Sequence, residues 1–378
     1  MTICRRSARL TIPTMALILL AACGGGREEG GHPAARQTEK VVHVYNWAEY
    51  IGESTISDFE AKTGIKVIYD VYDSNELLQT KLLTGNSGYD VVFPSGAPLE
   101  RLVMAGVFQR LDKSKLPNLV HLDAEILRIV STYDPGNNHS IPYMWGTTGI
   151  GYNPDAVEQV LGTRTIDSWA AVFDPAIASK LAKCGIAMLD SPGDMLSVVR
   201  LYLGLDLNSK RTEDLAPAET VLMKVRPFVR YFDSFQYVSD LASGEICVAV
   251  GWSGGVLQAR SRGTQADTPV EVAYAIPREG APMWFDMVAI PKDAPHPDHA
   301  HAFLNFLMEP TVIGAISNAV GQANANAAAL PLVNDTLSSD PSVYPTDEVR
   351  KRLHTDRLAS EEQARMEARA WARIKYGQ

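Results

Sequence analysis

Val41-Val42-His43-Val44-Tyr45-Asn46-Trp47-Ala48-Glu49-Tyr50 is the stretch on which the fold turns. Val41, Val42, Val44 and Tyr45 are β-branched or aromatic, the residue types that suit a pleated, buried surface, so the stretch opens as a strand. It ends on two aromatics, Trp47 and Tyr50, set around Glu49. Ligands of open α/β sheets bind outside the carboxyl ends of the strands. Aromatic faces beside a carboxylate suit an organic cation, which the ring quadrupole attracts and the carboxylate hydrogen-bonds. The plainer alternative is a Trp and a Tyr closing a core beside a solvated Glu.

Outward from this strand the signals alternate. Thr55-x-x-Asp58 has the form of a capping box, and Gly64 ends the short helix that follows. Residues 65–71 alternate as a strand, Ser74 opens a second helix, and Tyr89 to Phe93 is a short apolar strand stopped by Pro94. Pro98 suits the first position of a third helix. This β-α-β-α-β-α order predicts an α/β fold with a parallel sheet and helices on its faces.

Residues 111–140, rich in Asp, Lys, Pro and Asn, read as a mobile connection. Residues 141–153 follow with aromatics, small residues and no helical period, and read as an extended crossing between two lobes. Gly146, Gly149 and Gly151 lack dinucleotide spacing, and no Lys-Ser/Thr pair follows, so this is no phosphate loop. Helical patterns fill residues 155–230, broken by a turn at Asp190-Ser191-Pro192-Gly193-Asp194, where Asp194 also suits a helix-capping acid. Strand signals recur at 246–250, 273–276 and 287–290. The chain closes on a charged helix over 360–374 that shows Met366, Ala370 and Ile374 at fourfold spacing.

Gly251-x-Ser253-x-Gly255, after a strand and before a helix, has the context of a nucleophile elbow, with Asp286 and His296, His299 or His301 downstream. A serine hydrolase using Ser253 is therefore the alternative from a different functional class. No HGGG-type oxyanion segment accompanies it. The histidines sit in a polar Asp-Ala-Pro-His-Pro-Asp loop, and His299-x-His301 has no supporting metal ligands, so neither a metal nor a cofactor is expected.

The 378 residues are enough for two lobes, and 46% hydrophobic with 21% charged residues is ordinary globular composition. Residues 1–22 read as an export signal: Arg5, Arg6 and Arg9 precede an apolar run too short to span a bilayer comfortably. Leu20-Ala21-Ala22-Cys23 resembles the lipobox of bacterial lipoproteins, and residues 23–40 supply a lipid-anchor Cys and a flexible tether. The alternative is a plain signal that happens to carry a Cys. Removing three Arg from a chain of 35 basic and 44 acidic residues leaves a net charge of −12. That argues against nucleic acid and is compatible with cationic ligands. Of four cysteines, Cys184 and Cys247 remain after Cys4 and Cys23. In an oxidising compartment a disulfide between them is expected over two buried thiols.

Taken together, the chain resembles the periplasmic polyamine-binding proteins of ABC importers, most closely the putrescine-binding type. The likeness rests on Tyr45 to Tyr50, Tyr72 to Glu76, Val91 to Ser95, Gly106 to Gln109, Pro142 to Asn153 and Cys184-Gly185. It continues through Arg230 to Phe232, Gln236-Tyr237, Ile246 to Ala249, Trp284 to Asp286 and Ala323 to Asn326. It implies a two-lobed, type II-like periplasmic binding protein fold with a hinge of crossing strands. Lobe 1 is expected at 41–143 plus 264–332 and lobe 2 at 144–263 plus 333–378. It also implies the Cys184–Cys247 disulfide.

In the implied pocket Trp47, Trp252 and Trp284 are aromatic walls with Tyr50. Asp286 is the main carboxylate, with Glu49 beside it; Ser95 and Ser234 are polar contacts, and Asp194 acts on the far amine. Two positions depart from the family: Gly255 stands where an Asp holds the second amine, and Gln322 where a Tyr lines the pocket. The altered end leaves the identity of the cation open, and Gly255→Asp with Gln322→Tyr is expected to strengthen putrescine binding. The resulting expectation is a monomeric, non-enzymatic, lipid-anchored periplasmic protein that delivers a polyamine or related cation to an ABC permease. A ligand sensor of the same descent is the further alternative.

Overall fold

The computed structural model describes residues 40–377. The export signal, Cys23 and the tether as far as Glu39 lie outside the described residues.

Strand β1 (Val41–Trp47) pairs in parallel with β2 (Lys66–Tyr72) and with β3 (Val91–Val92). Helices α1 (Thr55–Thr63), α2 (Asn75–Leu83) and α3 (Gly96–Met104) alternate with these strands. The β-α order legible in the sequence is therefore the order built. Two helix starts differ. The cap of α1 is Ser54 rather than Thr55, and its hydroxyl donates to Asp58 at 2.8 Å. Helix α3 begins at Gly96, two residues before Pro98. Gly64 ends α1 at φ 67°, a left-handed conformation that a side chain would resist.

The crossing element is β4 (Ser140–Tyr152), thirteen residues and buried throughout. Its first half pairs antiparallel with β9 (Ala281–Ala289) and β10 (Ala323–Asn324). Its second half pairs with β7 (Val248–Trp252) and β8 (Ala273–Ala275). Beyond β7 lie β5 (Ile186–Met188) and β6 (Tyr231–Phe232), both in parallel register, and β11 (Leu353–Thr355) runs parallel to β9. One strand thus serves two sheets, and each half of the chain builds its core around one end of it.

On one side pack Val42, Val44, Phe59, Phe303 and Ile316, with a neighbouring cluster around Leu99, Phe285 and Val343. On the other pack Ile150, Trp169, Leu196, Val248 and Ile374, together with Val272 and Tyr274. Buried aliphatic side chains of this kind contribute about 1.5–3 kcal/mol each, which holds both ends of β4 firmly. The final helix, Glu361–Tyr376, buries Ala370, Trp371 and Ile374 against the second core, close to the spacing read from sequence.

Residues 111–140 form a tied-down segment, contrary to the expected mobile connection. Helix Ala124–Val130 lies within it, and buried Asp134 accepts the N–H groups of His139 at 2.7 Å and Ser140 at 2.9 Å. Polar composition misled here because the polar groups satisfy one another. Cys184 and Cys247 are joined in a disulfide, with Cα atoms 5.4 Å apart.

Candidate functional site

The cleft side chains are laid out by β4. Past an irregularity between Pro142 and Met144, the register sets Asp286 opposite Met144, Trp284 opposite Gly146 and, from the other sheet, Trp252 opposite Thr148. Pro142 has no N–H to give to the ladder, and the strand bulges there. The N–H of Met287 bonds Pro94 O at 2.9 Å, which brings the Pro94–Ser95 turn against Asp286. Alternate residues of a strand share a face, so the three pairs project to one side over about 13 Å of strand.

Asp286 anchors the first end. It is 7% exposed and accepts the Ser95 hydroxyl at 2.6 Å and the Tyr50 hydroxyl at 2.8 Å. Asn75, at the start of α2, donates to Ser95 Oγ at 3.2 Å and accepts the Ser95 N–H through Oδ1. Tyr50 is fixed in turn: its backbone carbonyl accepts the Tyr143 hydroxyl at 2.8 Å and the Asn46 amide at 3.2 Å. Trp47 closes β1 with its indole N–H on Phe93 O at 2.9 Å, its ring tilted against Tyr72 at 4.5 Å. Burial pushes the Asp286 carboxyl up to about 6, although the bonds from Ser95 and Tyr50 act against it. Burial, then the charge of Asp286, holds the Tyr50 hydroxyl well above its ordinary value. Among the described residues no Lys, Arg or His pairs with Asp286.

Trp252 and Asp194 form the second end. The Trp252 indole lies 3.3 Å from Asp194 Oδ1, which also accepts the Thr148 hydroxyl at 2.9 Å. Ser191, the residue before helix Pro192–Tyr202, donates to Asp194 Oδ2 at 2.7 Å. Asp194 thus sits in the first turn of that helix but accepts none of its backbone N–H groups, and its carboxylate is turned to Thr148 and Trp252 instead of capping. Between the two ends lies Trp284, whose ring crosses Gly146 so closely that a Cβ there would overlap both the ring and Ser253 Oγ. The Trp284 indole N–H is buried and has no partner.

Other expected site residues sit differently. Glu49, at φ 53°, directs its carboxylate to Gln258 at 2.8 Å and Arg262 at 3.4 Å on helix Ser253–Gln265, and the side chain is 71% exposed. The structure does not bring it to Asp286, because the left-handed turn after β1 points it outward. Gln322 does approach the first end, with Oε1 2.9 Å from the Tyr50 hydroxyl. Ser234 accepts the N–H of Asp190 at 3.1 Å, next to Ser191, whose hydroxyl holds Asp194. Gly255 is not an open gap: a Cβ there would overlap the hydroxyl of Tyr237, a residue 1% exposed.

The hydrolase arrangement does not form. Ser253 is buried and its Oγ accepts the Thr147 N–H at 3.2 Å. His296 is bonded to Asp90, His299 to Val41 O, and His301 to Pro297 O and the Asp112 N–H. Among the described residues no cluster of His, Cys, Asp or Glu has the makings of a metal site. Sequence reasoning passed over Asn75, Tyr143, Thr148 and Tyr237. Tyr143 and Thr148 act from β4, while Asn75 reaches Ser95 from α2 and Tyr237 packs on Gly251 and Gly255 from helix Gln236–Ser243.

With this geometry in place, residues 54–345 match the model of the bacterial extracellular solute-binding protein family. The chain belongs to that family. This solute-binding protein is 49% identical over 360 residues to the putrescine-binding periplasmic protein SpuD of Pseudomonas aeruginosa, covering 95% of this chain and 98% of that one. It is 48% identical over 341 residues to the putrescine-binding periplasmic protein PotF of Escherichia coli, covering 90% and 92%. Among solved structures, a putative spermidine/putrescine ABC transporter protein of Listeria monocytogenes superposes with a TM-score of 0.79 at 31% identity. That superposition covers 90% of this chain and all of the other.

Proposed function

We propose that this solute-binding protein captures a polyamine, putrescine-like in having an ammonium at each end, and delivers it to an ABC permease. The observation that carries this reading is Asp286, a buried carboxylate with two hydroxyl donors and no cationic side chain among the described residues. A carboxylate buried without a counter-charge is costly, and a ligand ammonium supplies one. Trp47 and the Trp252–Trp284 pair give apolar, π-rich walls for methylenes and charge. The names of the relatives, which bind putrescine, and the net negative charge of the chain point the same way.

In this reading the ligand pocket comprises Trp47, Tyr50, Ser95, Asp194, Trp252, Trp284, Asp286 and Gln322, and the protein performs no chemistry. On the same reading the lobes follow the cores at the two ends of β4, and the packing of residues 272–276 in the second core and of Val343 near the first supports counting them with lobe 2 and lobe 1. A periplasmic monomer tethered through Cys23 completes the proposal.

The test is a thermal-shift panel of putrescine, cadaverine, agmatine, spermidine and spermine on the mature protein. A ligand at ~100 times its Kd stabilises by about 2.7 kcal/mol, a visible shift. Silence from all five would refute the reading.

A further inference from the structure

The second end of the cleft holds a carboxylate that neither motif nor resemblance brought forward. Strand β11 runs parallel to β9 with Thr355 opposite Met283, so the next residue, Asp356, falls alongside Trp284. The Tyr133 hydroxyl donates to Asp356 Oδ1 at 2.9 Å. Tyr133 is buried under Gly96, where a Cβ would come within 2.6 Å of its ring, and Gly96 directly follows Ser95. The segment is pinned from the other side, since Glu100 on α3 accepts the Leu358 N–H at 3.1 Å. Asp356 therefore stands beyond the Ser95–Gly96 turn from Asp286.

Three features show that this carboxylate is not spent on structure. Among the described residues no Lys, Arg or His pairs with it, although Arg357 beside it pairs with Glu100. Burial, together with the nearby Asp194 carboxylate, pushes Asp356 up to about 6, against the bond from Tyr133. The adjoining Trp284 carries a buried indole N–H with no acceptor. Two like charges close enough to repel are unfavourable unless a cation neutralises them.

We infer that Asp356 and Asp194 together receive the second ammonium of the ligand, taking the part that Gly255 cannot play, and so make the protein select cations with two amine ends. This rests on the polyamine reading and names its second contact. With Asp286 near Met144 and Asp194 on Thr148, the two ends are set apart along β4. Length selection follows from that spacing: a monoamine satisfies Asp286 and leaves the Asp194–Asp356 pair unneutralised.

Calorimetry with putrescine and n-butylamine on the native protein and on Asp356→Asn tests the assignment. Asp356→Asn is expected to weaken putrescine roughly 30-fold or more, the effect of removing one partner of a buried charge pair, and to leave n-butylamine within ~3-fold. A purely structural Asp356 would instead lower the ligand-free Tm and move both ligands alike. Tyr133→Phe, which keeps the charge and removes the bond orienting it, is expected to give a smaller loss confined to the diamine. Putrescine binding to Asp356→Asn within ~3-fold of native overturns the role of Asp356 and leaves the polyamine function standing. A native protein that binds none of the polyamines overturns both.

Discussion

The Tyr50 hydroxyl lies 2.8 Å from Asp286 Oδ2 and 2.9 Å from Gln322 Oε1, with one proton to offer two acceptors. Turning the Gln322 amide so that its nitrogen faces Tyr50 leaves the hydroxyl proton for Asp286. A protonated Asp286 offers the other solution, and burial already holds its carboxyl near 6. Its folded-state value lies above the unfolded one near 4, so between about pH 4 and pH 6 the folded chain binds the extra proton. Ligand-free stability from this group therefore falls as pH rises through that window, by on the order of 2–3 kcal/mol. Ligand binding runs the opposite way, because only the ionised carboxylate pairs with an ammonium. Putrescine affinity is expected to rise from pH 4.5 to about 6.5 and then level off. Asp286→Asn should raise the ligand-free Tm and weaken putrescine more than ~30-fold. Calorimetry and melting curves across that range check both signs; an affinity flat from pH 5 to 7.5 would exclude titration of Asp286.

Glu49 bridges the two cores from outside the cleft. Helix Ser253–Gln265 buries Val256 and Ala259 in the second core, while Glu49 leaves the strand that builds the first. Exposed ion pairs are worth about 0–1 kcal/mol, so the Arg262 contact is a weak latch. Glu49→Ala is expected to reduce putrescine affinity by no more than ~5-fold, chiefly through faster release. Trp47→Ala and Asp286→Asn should each cost far more. Stopped-flow release rates alongside equilibrium titration separate these cases. A Glu49→Ala loss as large as that of Asp286→Asn would return Glu49 to the pocket.

What the sequence made legible was local. Strand β1, the turn at Gly64 and the crossing character of 141–153 follow from residue type and spacing, whereas the pairing of Trp284 with Asp286 came from the family resemblance. The direction of Glu49 was not legible, because a non-glycine residue at positive φ gives no compositional sign. Nor was the part played by Tyr143 and Thr148, which depends on the register of one long strand, or that of Asn75, which depends on the start of α2 lying against Ser95. Residues 111–140 misled for a related reason: Asp134 is polar in composition but buried in fact, with its bonds supplied by His139 and Ser140.

Gly255 shows how the structure reverses an expectation about specificity. Read from sequence, Gly255→Asp restores a missing carboxylate and tightens the clamp. In the folded chain the position is already filled: a Cβ would lie 2.8 Å from Tyr237 Cζ and overlap its hydroxyl, and Val238 is 3.3 Å away. Tyr237 cannot swing aside cheaply. It is 1% exposed, its ring also packs against Gly251, and its hydroxyl reaches Trp252 O at 3.4 Å. Overpacking a well-filled core costs about 1–3 kcal/mol, and a carboxylate forced beside a buried phenol adds desolvation. Gly255→Asp is therefore expected to lower the Tm by several degrees and to give no gain in putrescine affinity, alone or with Gln322→Tyr. Pairing it with Tyr237→Ala makes room for the new side chain, so that double variant should recover affinity relative to Tyr237→Ala alone. Melting curves and calorimetry on the three variants decide the matter: tighter putrescine binding by Gly255→Asp at unchanged Tm would mean that Tyr237 yields and that the second end accepts a carboxylate at 255 after all.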